Sequence, residues 1–204
     1  MGYGVTPYSV NVNVLRSPHT YTQDPEDFLA WIQDRFCKDD EDEEYEYGPT
    51  RQSMREMFFD QPLTGTEGLV YGNTLRAFCD TFGGMLGNGH WYPVGFSWFD
   101  TVRDALAQVG VSFDPNDLIY SGSPVTMPPI DDFPCIGYLE RDEALSLAEQ
   151  LDAADLSAIG DQKVTGSIRE MVIGSIRELH GWLKQCKADG EHETDNYDLV
   201  CFYS

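Results

Sequence analysis

Apolar positions along the chain recur at two spacings, and together they predict a mixed fold. Val10, Val12 and Val14 alternate with Asn11 and Asn13, the period of two expected of a half-buried strand. From Asp24-Pro25 the spacing changes. A capping residue and a first-turn proline lead into Phe28, Trp31, Ile32 and Phe36, predicting an amphipathic helix from Pro25 to about Cys37. Arg51 to Phe59, carrying Met54, Met57 and Phe58, reads as a short helix. Thr64-x-x-Glu67 has the form of a capping box before a longer helix marked by Leu69, Leu75, Phe78, Cys79, Phe82 and Leu86, which GGMLGNG ends.

Tyr92 to Phe96 predicts a short strand, and Ser97-x-x-Asp100 opens a helix with Phe99, Val102, Leu106 and Val109 inside, stopped by Gly110. Prolines at 124, 128, 129 and 134 keep residues 121–134 irregular. Helices follow from about Arg141 to Leu151 and around Asp155 to Ile159. The clearest stripe of all, Ile168, Met171, Val172, Ile176, Leu179, Leu183 and Cys186, marks a helix from about Val164 to Lys187. After the polar stretch ADGEHETDN, expected to be a loop, Leu199 to Tyr203 reads as an apolar strand. Many helices and few strands, some of them at the two ends, predict an α+β single domain over residues 1–204. Its helices would pack on a small sheet that includes the N- and C-terminal strands.

Charge adds the question of partners. Thirty-five acidic residues against thirteen basic ones give −22. Seven of those carboxylates (Asp39, Asp40, Glu41, Asp42, Glu43, Glu44 and Glu46) crowd into DDEDEEYE, and residues 38–50 read as a mobile acidic loop. Without the seven, 28 acidic residues still face 13 basic ones, so the field belongs to the whole surface. Such a field repels nucleic acid and anionic membranes and attracts basic proteins. No apolar run approaches the ~20 residues needed to span a bilayer, and the N-terminus lacks a secretory pattern, so a cytoplasmic location is expected.

Little else carries chemistry. FGGMLGNG lacks the GK[ST] ending of a phosphate loop, and the four histidines show no zinc spacing. The acidic run lacks the glycine and the order of a calcium loop, and no GxSxG elbow occurs. No cofactor or metal is expected. The five cysteines form no CxxC; Cys79, Cys186 and Cys201 lie at apolar positions and read as buried reduced thiols. Asp131 and Asp132, in PPIDDFP, sit in a proline-bounded loop that could hold them against a partner's Arg or Lys, or in a plain surface turn where an aspartate caps local amides. Trp91-Tyr92 and Trp98-Phe99 could belong to a core or to an interface.

The run FPCIGYLERDEALSLAEQL, the segment IRELHGWLKQCKADG and the closing LVCFYS resemble small bacterial proteins of the YfbM-like kind. Together with MGYGV and LVYGNTLRAFCDTFG, they are more similar still to a related actinobacterial group of unknown function. DDEDEEYE and ADGEHETDN depart from that pattern. The resemblance implies an α+β fold and a bacterial cytosolic protein, and it brings no catalytic residues. Some small families of this type accompany toxin genes as immunity factors. The expected function is therefore an acidic cytosolic binding protein, not an enzyme: an immunity protein that neutralises a basic toxin. The acidic run would be its first contact and Asp131 and Asp132 its second. The alternatives are a DNA-mimic or anti-restriction protein, an enzyme with an unrecognised site, or a protein whose charge serves solubility alone.

Overall fold

The computed structural model describes residues 2–37, 47–160, 166–193 and 197–204. The chain runs β1 (Val5–Val10), α1 (Val12–Arg16), a 3-10 turn (Pro18–Tyr21), α2 (Pro25–Phe36), α3 (Arg51–Phe58), α4 (Gly68–Phe82) and β2 (Gly84–Met85). Then follow α5 (Phe96–Gln108), α6 (Asp117–Tyr120), β3 (Cys135–Leu139), α7 (Arg141–Ala153), a 3-10 turn (Leu156–Ala158), α8 (Gly166–Glu193) and β4 (Asp198–Tyr203). The strands form one antiparallel sheet in the order β2-β1-β4-β3. The fold is α+β, and the two terminal strands are its central pair, with Val5 opposite Tyr203 and Val10 opposite Asp198.

Helices cover both faces of the sheet, and the side chains of β4 explain how. Leu199, Cys201 and Tyr203 enter a core built with Phe99, Leu147, Ile176, Leu179 and Leu183. Val200 and Phe202 enter a second core with Leu15, Ile32, Met54, Phe58, Leu75 and Phe78. A strand covered on both sides gains by being apolar at every position, which is why DLVCFY does not alternate. Each large side chain fully buried in this way contributes roughly 1.5–3 kcal/mol.

Several expectations change against this frame. The Val10–Val14 alternation is not one strand. β1 stops at Val10 because the side chain of Asn11 accepts the Asn13 amide at 3.0 Å and caps α1. Tyr92–Phe96 is not a strand either. The edge strand is β2, inside the glycine-rich run, and Trp91 accepts the Val5 amide through its carbonyl instead. Thr64 caps no helix, because its hydroxyl is taken by Glu56 at 2.6 Å. α5 begins two residues early, with Gly95 at its cap in place of Ser97. The Asp155–Ile159 helix is a 3-10 turn.

The ADGEHETDN stretch is helical through Glu193, so the last helix outruns its apolar stripe by two turns. Ile168 and Met171, at the head of that stripe, are exposed, while Val172 to Cys186 bury as expected and Trp182 joins them. The expected loop 38–50 is described only from Tyr47. There the carbonyl of Tyr47 accepts from Asn73, and Thr50 forms a capping box with Ser53 at the start of α3. Among the described residues, no helix is long and apolar enough to cross a membrane.

Candidate partner-binding surface

The residues around the β3–β4 end of the sheet build a row of aromatic rings. β3 pairs with β4 so that Cys135 lies opposite Tyr203, which brings the preceding Phe133 over the Tyr203 ring at 5.7 Å. Gly137 lets α6 lie directly on β3, since a Cβ there would come within 2.2 Å of the Asp117 carbonyl. That contact sets Tyr120, the last residue of α6, beside the sheet end. Phe96, the first residue of α5, fills the space between.

The result is a near-parallel series. Tyr120 and Phe96 lie 6.2 Å apart at 16°, Phe96 and Phe133 6.4 Å apart at 16°, and Phe133 and Tyr3 4.7 Å apart at 19°. Tyr203 packs against Phe96, Phe133 and Tyr3 while itself buried, its hydroxyl donating to the Val94 carbonyl at 2.9 Å. Tyr120 is 58% exposed, Tyr3 49% and Phe96 46%, and Tyr92 nearby is exposed as well.

Tyr120 also belongs to a groove of about 420 Å³ between β3 and the 121–134 loop, with Ile119, Met127, Ile130 and Ile136 in its walls. Among the described residues lining it, the charged one is Asp132. The loop is held at several points. Ser121 Oγ donates to the Tyr138 carbonyl at 2.9 Å and accepts the Tyr138 amide at 2.8 Å, and the Gly122 amide donates to Ile136. Arg16 Nε donates to the Pro124 carbonyl at 3.1 Å. Gly68 gives Pro129 its seat, as a Cβ there would stand 2.0 Å from the Pro129 oxygen. Cys135 also lines the groove. Burial pushes its thiol up, opposing thiolate formation, so it lacks the activation a nucleophile needs.

Both Asp131 and Asp132 are exposed, immediately before Phe133 in the row. The seven carboxylates from Asp39 to Glu46 lie outside the described residues. Sequence reasoning missed Tyr3, Phe96 and Tyr120, which come from three separate segments. The aromatic pairs divide: Trp91 and Phe99 are core, Trp98 is partly buried with its indole N–H on Ser175 Oγ, and Tyr92 is exposed.

Glu56, Asp198 and Glu178 serve the framework, the first two buried and the third partly so. Glu56 accepts from Thr64 Oγ1 (2.6 Å) and Gln52 (3.0 Å) on one oxygen, and from Tyr71 OH (2.5 Å) and the Thr64 amide (3.3 Å) on the other. Burial alone would raise its carboxyl, but these bonds outweigh it and hold the group at about 2. A space of about 430 Å³ borders it, yet its acceptor positions are filled. Asp198 accepts the Val12 amide at 3.2 Å and the Arg141 amide at 2.9 Å, tying the starts of α1 and α7 to β4. Glu178 accepts the Gly89 and His90 amides at 2.9 and 2.7 Å. Among the described residues, no group of three or more His, Cys, Asp or Glu side chains is placed to hold a metal. Cys79, Cys186 and Cys201 are buried free thiols, whereas Cys37 and Cys135 are partly exposed.

The model of a family described as a domain of unknown function, DUF7691, matches residues 1–204. No curated protein and no solved structure matches the chain.

Proposed function

The chain belongs to the DUF7691 family, and from that premise we propose that it is an acidic binding protein that captures a basic protein partner, as an immunity protein captures a toxin. The observation that carries this reading is the charge of −22. A field of that sign and size accelerates encounter with a basic surface and rejects nucleic acid and anionic lipid. Carboxylates also fit an active site built for phosphate, so capture and inhibition can coincide. A cytosolic location and kinship with the YfbM-like proteins belong to the same proposal.

The test begins with capture at low salt and release by a salt step. The reading expects a captured protein that is basic and enzymatically active, that loses activity in proportion to added chain, and whose association slows as salt rises. A partner that is neutral or acidic, or an association rate flat across ionic strength, contradicts it.

A further inference from the structure

Resting on that reading, we propose that the row Tyr120–Phe96–Phe133–Tyr3, with the adjoining groove and Asp132, is the surface that docks an arginine-bearing segment of the basic partner. Three observations converge on one place. The first is aromatic exposure. Tyr3, Phe96 and Tyr120 each leave about half their surface in water, on a chain otherwise dominated by charge. Exposed rings gathered from the N-terminus, α5 and α6 are the composition of an interface centre rather than of a solvated acidic surface.

The second is continuity with an apolar channel. Tyr120 is both the end of the row and a wall of the groove. A long basic side chain has an aliphatic stem and a charged head, and it needs those two environments side by side. Ile119, Met127, Ile130 and Ile136 supply the first. Asp132, the groove's charged residue among those described, supplies the second. Asp131 adds a second carboxylate next to it. The loop that carries both is fixed by Ser121, Gly122 and Arg16, so little order has to be imposed on binding.

The third is chemical selectivity. A guanidinium is planar, weakly hydrated and able to stack on a ring while donating two parallel bonds to a carboxylate. An ammonium does neither as well. The chain's own arginines use rings in this way elsewhere: Arg35 lies 5.0 Å from the Phe36 centroid and 5.8 Å from that of Trp31, and Arg55 lies 5.0 Å from Phe59. In the Tyr120–Tyr3 row, Tyr120, Phe96 and Tyr3 are each about half exposed, and the exposed Asp131 and Asp132 immediately precede Phe133. An arginine brought by a partner completes the same arrangement.

The experiment compares hexa-arginine with hexa-lysine, two peptides of equal charge, by calorimetric titration of the full chain at low salt. NMR follows the ring resonances of Phe96, Tyr120 and Phe133. The surface predicts hexa-arginine binding roughly threefold or more tighter, shifts of those rings, and loss of the preference in a Phe96→Ala/Tyr120→Ala double variant that keeps the weaker, charge-driven binding. Equal affinities, or a preference that survives the double variant, overturn the docking surface and leave the charge-based function standing. Binding of neither peptide overturns both. Should the double variant fail to fold, the wild-type spectra decide: shifts at Phe96, Tyr120 and Phe133 support the proposal, and unmoved rings with binding elsewhere overturn it.

Discussion

Tyr71 donates its hydroxyl to Glu56 Oε2 at 2.5 Å, and through that bond α4 fixes a buried carboxylate on α3. The Tyr71 oxygen in turn accepts the Gly65 amide at 3.0 Å, and Glu56 accepts from Thr64, so the two side chains together hold Thr64 and Gly65. Replacing Glu56 with Gln puts an NH2 group where donors converge and is expected to cost about 1–3 kcal/mol, measured by denaturant unfolding. The pH dependence has a definite sign. Glu56 is held at about 2 against an ordinary 4.5, so its contribution is complete above about pH 4.5 and fades as pH falls towards 2. The Glu56→Gln variant is expected to lose less stability than wild type across that interval.

Asp198 gives the opposite slope. Burial raises its carboxyl above the ordinary 3.8, although the Val12 and Arg141 amides pull it down. The folded chain therefore takes up this proton more readily than the unfolded chain. Its contribution to stability grows as pH falls through the raised value towards 3.8. Asp198→Ala removes the acceptor of the Val12 and Arg141 amides, loosening the starts of α1 and α7 from β4, and is expected to cost about 2 kcal/mol near neutral pH. The gap between variant and wild type should widen on acidification, read from unfolding midpoints at a series of pH values.

Much of the framework was legible because it rests on local signals. α2, α3, α4, α5, α7 and the middle of α8 fall where apolar spacing puts them, and the terminal strands pair at the sheet centre. Most of the misses arise where a side-chain hydrogen bond outweighs the apolar pattern. Asn11 and Asp198 turn an apparent strand into α1, and Glu56 takes Thr64 from its expected cap. β2 consists of exposed Gly84 and Met85 and shows no alternation to read. Of the candidate surface, only Asp131 and Asp132 were visible in the sequence. Tyr3, Phe96 and Tyr120 are far apart along the chain, and nothing in their neighbours marks them as one row.

Glycine substitutions separate the seat of the 121–134 loop from ordinary surface. Gly68→Ala drives a methyl into the Pro129 carbonyl, where backbone cannot yield cheaply, and is expected to cost about 1–3 kcal/mol. Gly84→Ala meets nothing within 4 Å and serves as the control, with a midpoint close to wild type. Comparable losses in both variants would show that the Pro129 contact is not what holds the loop.

Thiol labelling reads the same architecture. Cys79 and Cys201 are fully enclosed with thiols pushed well up by burial, and Cys186 is pushed up to about 12. Cys37 and Cys135 are the partly exposed pair. Under native conditions a thiol reagent is expected to modify Cys37 and Cys135 first, and the other three only on unfolding, as counted by mass spectrometry with time.

Amide hydrogen exchange, run on the chain alone and on its complex with a basic protein captured at low salt, tests the central claim most directly. The account predicts slowed exchange across residues 119–136 and at the start of α5 around Phe96. Slowing confined to α2 and α3, with residues 119–136 and the start of α5 unchanged, would contradict it.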